Sequence, residues 1–279
     1  MTMEQFKDFI VDWQKWVSFR EGELKQPYGW LSLVGLFWLP LGKSSIGSGV
    51  INNIILPNSP NIIGEIELKE NGSVYFYSNR KNSSALVNEK YISYTRLYSD
   101  SDPNPSLIKI GRLHIQLIKR GDEFALRIRD PSCEKLQNFC GIKYFPPDIA
   151  WKIQAKWEEY AQPLITEQTT IDGRTHRVPI LGVACLELAG TRYYLQPFEH
   201  TEEHVIFSFG DLTNGVLTYP GGRFLMASSP KDGKIILDFN RAFNPPCAFT
   251  DFATCPIPPP ENKIALKINA GEFAYPALA

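Results

Sequence analysis

An all-β protein is predicted, with an N-terminal amphipathic helix followed by two β-rich lobes of sandwich or barrel-like form. Three observations carry that prediction. Short apolar runs of four to eight residues follow one another from about residue 30 to residue 268, with turn residues between them. No helices intervene between these runs, which argues for an all-β architecture. Helical spacing is confined to the first two dozen residues, where Phe6, Phe9, Ile10, Trp13, Trp16 and Val17 recur at i, i+3, i+4 and i+7.

In that helix, over residues 3–25, Lys7, Asp8, Asp12 and Lys15 fall on the face opposite the aromatic stripe. A stripe at this spacing packs on the rest of the chain far more often than it recruits a partner. Pro27 and Gly29 end the helix. Trp30 to Gly49 reads as a buried turn, a short strand and a glycine-rich loop. Within it, Gly42-Lys43-Ser44-Ser45 looks like the tail of a phosphate-binding loop. Phe37 stands where the first glycine of that motif belongs, and no helix follows, so a β-turn is expected.

Glu65–Leu68 and Val74–Tyr77 flank Asn71-Gly72, which predicts a hairpin with a type I′ turn. Leu113–Ile118 and Phe124–Ile128 form a second hairpin signal. Trp151, Ile153, Ala155 and Trp157 alternate with Lys152, Gln154 and Lys156, the pattern of a half-buried strand. Further strands are expected at Val183–Leu188, Tyr193–Gln196, Val205–Phe209, Ile235–Phe239 and Ile264–Ile268. Asp172-Gly173, Ala189-Gly190 and Asp232-Gly233 supply turns. The expected divisions are the helix at 1–27, a first β lobe at 28–162 and a second at 163–279, with the break at Gln162-Pro163.

Composition narrows the function classes. Of the 279 residues, 43% are hydrophobic and 21% charged, as in a globular chain, and the net charge of −1 offers no electrostatic attraction to nucleic acid or anionic lipid. Five cysteines in a chain this long do not make a disulfide scaffold. The N-terminus shows no basic start with an apolar run behind it, and the most apolar stretch, Trp30 to Leu41, is too short to span a bilayer. A soluble cytoplasmic protein is the expectation, without a nucleic-acid partner or a transmembrane segment; a protein partner stays open.

The most unusual stretch is Asp238 to Asn262. It holds six of the 21 prolines, all between Pro245 and Pro260, together with aromatics and side chains that make directed bonds. Proline removes a backbone donor and fixes φ, so this is a rigid irregular loop, neither a long helix nor a central strand. Upstream, Asp211, Thr213 and Asn214 follow an apolar strand, and Tyr219-Pro-Gly-Gly-Arg223 comes next. Arg223 has the planar fork that suits a carboxylate or phosphate; a tight hairpin with a structural ion pair is the competing reading. Asp238 and Asn240 are expected on one face of a strand end, with Phe239 and Arg241 on the other. Glu272 can close the site with Asp238 as an acid and base pair, or pair with Arg223 or Arg241 as framework. Asn244 and Asn262 suit carbonyls left open by the prolines.

Cys247 and Cys255 lie eight residues apart and allow a nucleophile, a metal pair, a disulfide or simple packing, of which packing is favoured. No histidine lies near either cysteine in sequence. His200 and His204 would share a helix face, but they precede a strand, and no metal is expected there.

The runs Phe209–Leu225, Leu237–Thr250, Cys255–Asn262 and Ala270–Glu272, with Gly29-Trp30-Leu31 and Ile46-Gly47-Ser48 in the first half, resemble a prokaryotic family known as domain of unknown function 1684. That resemblance covers most of the chain and implies no activity, cofactor or catalytic residue. The first half is also similar, at fewer positions, to a forkhead-associated β-sandwich. Ile46-Gly47-Ser48 would end a strand there, but Ser48 replaces the phosphate-reading arginine and the Ser-Arg-x-x-His run is missing. This likeness implies a scaffold and not phosphothreonine recognition.

The expectation is a small polar or anionic ligand bound in a pocket of the second lobe. Asp211, Thr213, Tyr219, Arg223, Asn240, Arg241, Asn244 and Cys247 would contact it, Asp238 and Glu272 would transfer any proton, and hydrolysis is the chemistry in view. The alternative is a non-catalytic protein-interaction module on the first lobe, which exposed Trp30, Phe37 and Trp38 would favour. No cofactor is indicated.

Overall fold

In a computed structural model, residues 2–79 and 85–275 are described. Helix α1 runs over Met3–Leu24. After a 3₁₀ turn at Trp30–Ser32 come β1 (Leu33–Trp38), β2 (Gly42–Gly47), β3 (Ile54–Ile55), β4 (Gly64–Leu68), β5 (Val74–Ser78), β6 (Leu86–Val87), β7 (Tyr94–Leu97), β8 (Leu107–Ile110), β9 (Leu113–Arg120) and β10 (Glu123–Arg129). A short helix α2 (Glu134–Gln137) precedes β11 (Lys152–Thr169), β12 (Thr175–Leu188), β13 (Thr191–Leu195), β14 (Pro197–His200), β15 (His204–Asp211), β16 (Arg223–Ser228), β17 (Lys234–Asp238) and β18 (Lys263–Ile264). The all-β prediction holds, helix α1 included. The sheets stay open, so the sandwich alternative is met and the barrel is not.

The chain divides into two compact units. Residues 25–139 form one. Its two five-stranded sheets, ordered β1-β10-β9-β8-β6 and β3-β2-β4-β5-β7, share a core that includes Ile46, Ile66 and Phe76 from one sheet and Ile115, Leu126 and Ile128 from the other. Gly42-Lys43-Ser44-Ser45 is not a turn: it opens β2 and pairs with β4, Ser44 opposite Ile66. Its side chains alternate about the sheet, Ser44 and Ile46 buried and Lys43 exposed, which is why a motif of turn-type residues still fits a strand. The hairpin at Asn71-Gly72 forms, but not with a two-residue type I′ turn. Lys69 and Ser73 close a three-residue loop, with Gly72 N–H donating to Lys69 O and Gly72 at φ 76°. Asn71 keeps a negative φ, and the glycine alone supplies the left-handed bulge.

Residues 2–24 and 140–275 form the other unit. Sheets β13-β12-β11-β17 and β14-β15-β16 enclose one core that includes Trp157, Phe207, Phe209, Leu225, Leu237 and Phe239; β18 runs parallel to β15. The alternation in residues 151–157 does mark a strand, with Ala155 and Trp157 buried. The expected break at Gln162-Pro163 lies inside β11. The ladder to β12 shifts there, between Glu159 and Leu164, because a proline cannot donate a ladder bond and is tolerated at a bulge. The compact units separate instead after Leu24 and after Phe139. Helix α1 packs with the C-terminal half of the sequence through part of its aromatic stripe: Phe9 is buried, Trp13 and Trp16 are half-buried and edge-on to Tyr144, and Phe6 stays exposed.

Candidate functional site

Four groups of side chains account for the residues singled out by sequence. The first sits at the joint of β15 and β16. Asp211 ends β15 and Arg223 starts β16, and the chain between them must pass tightly under its neighbours. Gly222 makes this possible: its φ is +87°, and a Cβ there would lie 2.6 Å from both Phe209 O and Pro258 Cγ. Arg223 is then fully buried. One terminal nitrogen donates to Asp211 Oδ2 at 2.7 Å and to Ile268 O at 3.0 Å, and the other donates to Ala270 O. Its guanidinium lies 5.3 Å from the centre of the Phe209 ring. Burial pulls the Arg223 pKa down, and the Asp211 carboxylate opposes that fall. Asp211 Oδ1 accepts from Thr213 N at 2.8 Å, Thr213 Oγ1 at 2.6 Å and Ile268 N at 3.3 Å. Both terminal nitrogens of Arg223 are therefore spent on protein acceptors, and the fork meets no open space.

The second group is centred on Glu272, also fully buried. Its two oxygens accept from Arg20 Nε at 2.9 Å and from Asn244 N at 2.6 Å. Arg20 also donates to Asn244 O at 3.0 Å and lies over the rings of Phe243 and Phe249. Asn244 Nδ2 donates to Phe273 O at 2.8 Å. The cation that partners Glu272 is thus on α1, and neither Arg223 nor Arg241 takes that place. Sequence reasoning passed over Arg20, and its one signal was its position: a lone arginine on the last turns of an otherwise aromatic helix.

The third group surrounds Asp238. The backbone leaves β17 there for a 3₁₀ turn at Phe239–Arg241, so strand alternation no longer applies. Asp238 Oδ1 accepts from Asn240 N at 3.2 Å and Asn240 Nδ2 at 2.9 Å, and Oδ2 lies 3.6 Å from Arg241 Nε. In a three-residue turn the i and i+3 side chains eclipse, which brings Arg241 back to Asp238 where a strand would send it to the other face. Asn240 also exchanges two bonds with the Asp148 backbone, and Arg241 pairs with Asp12 of α1. Asp238 and Glu272 share no partner among the described residues, and each holds a different loop.

The fourth group joins Tyr219 to the cysteines. Tyr219 Oη donates to Cys247 O at 3.2 Å, and Cys247 N donates to Cys255 Sγ at 3.2 Å. Contacts with Cys255 and Tyr219 draw the Cys247 thiol pKa down in spite of burial, and burial pushes the Tyr219 phenol up. Among the described residues no three His, Cys, Asp or Glu side chains gather as a metal site. His200 and His204 lie on different strands: His200 packs edge-on to Trp157, and His204 meets Glu199 at 2.9 Å.

Two clefts open beside these groups, on either side of the Ile257-Pro258 wall. One, of about 520 Å³, is lined by residues 166–169, residues 196–198, Ser208 and residues 257–261. The other, of about 470 Å³, is lined by residues 210–212, Asn214, residues 220–222, Ile257, Pro258 and residues 263–265. The wall is clamped in place: Ile257 N donates to Thr169 O at 2.9 Å, and Ser208 Oγ donates to Pro256 O at 3.2 Å. Asn262 accepts from Gln196 N and donates to Gln196 O and Ser208 O, at 2.7–2.8 Å. An asparagine amide thus completes the strand edge that a proline-rich chain cannot pair. In the other unit, Trp30, Phe37 and Trp38 are only partly exposed, and Trp30 lies under the Arg127 guanidinium at 5.2 Å.

This architecture defines a β-sheet domain with an N-terminal helical strap and a proline-walled cleft. Residues 137–273 match the family described as "Protein of unknown function (DUF1684)", and the chain belongs to that family. It is similar to the solution NMR structure of an uncharacterised protein of Haloarcula marismortui, with 30% identity over 51% of this chain and 81% of that one, at a TM-score of 0.43. No curated protein matches the chain. No helix among the described residues is long and apolar enough to cross a membrane.

Proposed function

We propose that the C-terminal unit binds a small polar ligand in the 520 Å³ cleft between the end of β11 and the proline wall. The cleft itself carries the reading. Its volume is that of small-molecule sites, and it combines an apolar surface with a few directed polar groups. Phe198 and the prolines offer flat apolar contact, while Thr166, Gln168 and Gln196 offer donors and acceptors. Glu167 and Glu261 are the only charged side chains in the lining, which favours a neutral, hydroxyl-rich or cationic ligand over an anion. The Arg223 and Asn262 networks support this wall from behind as framework. Asp238 and Glu272 spend their oxygens on loop amides and arginines, so binding is better supported than hydrolysis. The alternative of a protein-interaction surface on the first lobe gains little from its three aromatics, each of which is only partly exposed and none of which is fully open to solvent.

Thermal-shift screening against neutral polyols, sugars, amines and small acids tests the proposal. A ligand that binds only the folded state raises the apparent Tm. Thr166→Val and Gln168→Ala are surface changes and should abolish the shift while leaving the unliganded Tm in place. A stabilising compound that ignores both substitutions, or a screen that yields only anions, would overturn it.

A further inference from the structure

Cys247 and Cys255 meet at the start of the proline wall. Cys255 is buried, 5% exposed, at the start of the proline wall, and Cys247 is partly exposed on a 3₁₀ turn framed by Pro245 and Pro246. The Cys247 amide points at Cys255 Sγ at 3.2 Å. Cys133 instead donates to Leu31 O at 3.1 Å, and Cys185 sits beside Lys156 and Glu158.

We propose that Cys247 and Cys255 form a reversible disulfide by exchange with a low-molecular-weight disulfide, and that this bond stiffens the wall of the cleft. The link to ligand binding rests on the preceding proposal; the disulfide itself does not. Cys247 is the attacking thiol because it is the more accessible of the two. The contacts that draw its thiol pKa down add to its thiolate fraction. Its thiolate attacks one sulfur of the oxidant, the oxidant's S–S bond breaks, and one small thiolate leaves and takes up the proton. A mixed disulfide remains on Cys247. Cys255 then loses its proton and attacks Cys247 Sγ, expelling the second small thiol. Two protein thiols are oxidised and one small disulfide is reduced, a transfer of two electrons.

The effect on the cleft follows from the backbone. Cys255 O accepts from Ile171 N at 2.9 Å, and two residues on, Ile257 N donates to Thr169 O at 2.9 Å. Pro256 O accepts from Ser208 Oγ. Tethering the Cys255 sulfur to the 245–249 turn therefore restrains both the proline wall and the end of β11, the two sides of the cleft. Tyr219, which holds Cys247 O, carries the same restraint to residues 220–222 of the neighbouring cleft.

The test uses the full-length reduced protein equilibrated with mixtures of reduced and oxidised glutathione, then alkylated and peptide-mapped. The expected product is a 247–255 cross-link, lighter by two hydrogen atoms, that rises with the oxidised fraction and disappears with dithiothreitol. Cys255→Ser should halt at a glutathione adduct on Cys247, and Cys247→Ser should leave Cys255 unmodified. Amide hydrogen exchange over residues 249–262 and 166–171 should slow several-fold in the oxidised protein. The proposal is overturned by absence of the cross-link across the glutathione range, by equal adduct formation on Cys133 or Cys185, or by a cross-link that leaves exchange unchanged. All these measurements are made without ligand, so their failure is distinct from failure of the ligand-binding proposal.

Discussion

Replacing Asp211 by asparagine preserves shape and removes one charge. The structure sets the consequence. Arg223 and the Asp211 side chain are both fully buried, so the guanidinium keeps its charge with no solvent to answer it. Asp211 also accepts four hydrogen bonds, from Arg223, from Thr213 N and Oγ1, and from Ile268 N. An asparagine has one oxygen, and its amide N–H₂ would face either the guanidinium or the Thr213 amide, donor against donor. Breaking a buried ion pair from one side costs about 3–5 kcal/mol. For a unit of this size that is a fall in Tm of roughly 6–20 °C. Urea unfolding followed by circular dichroism should show the loss with an unchanged m-value. The double change Asp211→Leu with Arg223→Met removes both charges, yet it takes the partners of Thr213 N, Ile268 N, Ile268 O and Ala270 O, at about 1–3 kcal/mol each. It should therefore remain destabilised. An Asp211→Asn protein within about 1 kcal/mol of wild type, or a double variant equal to it, would refute the network argument.

Arg20→Met should destabilise by about 3 kcal/mol, because it leaves the buried Glu272 without its cation; amide exchange in α1 should quicken, and unchanged exchange would count against the strap. Gly222→Ala should cost about 1–3 kcal/mol for the left-handed backbone alone, with the contacts at Phe209 O and Pro258 adding to it, measured by urea unfolding. Alkylation by iodoacetamide should reach half-maximal rate at Cys247 below pH 9.0, since its thiolate is favoured, and at Cys185 above pH 9.0, since burial disfavours that thiolate; mass spectrometry of peptides across a pH series gives the order. His114, stacked on Tyr28, has its pKa lowered from 6.5, first by burial and then by Lys109. A base whose folded pKa is depressed contributes stability above its unfolded value, so the 25–139 unit should weaken as pH falls below 6.5. His114→Gln should flatten that slope in denaturation at pH 7 and pH 5.

Much of the fold was legible because period and turn chemistry are local. The 2-residue period of residues 151–157 and the 3.6-residue period of residues 6–17 each report one face of burial, and both elements formed. Pro163 was misleading for a physical reason. A proline marks the loss of one ladder bond, and a long strand can absorb that loss in a bulge without ending. Gly42–Ser45 was misleading because small polar residues suit turns and strand edges alike, and only pairing with β4 decides between them.

The sequence by itself determined the class of the protein: open β-sheets, one amphipathic helix, and a rigid proline-rich segment from Asp238 to Asn262. It also picked out Asp211, Arg223, Asp238, Asn244, Asn262 and Glu272 as side chains with directed bonds to make. Tertiary structure alone decided what they bond to. Arg223 turns to the carbonyls of Ile268 and Ala270, some 45 residues away, and Glu272 finds Arg20 across 252 residues of chain. A buried charge accepts whichever partner the packing brings within hydrogen-bond reach, and sequence order carries no record of that distance. The same packing shut the arginine fork away from solvent and left the open space one layer outward, at the proline wall.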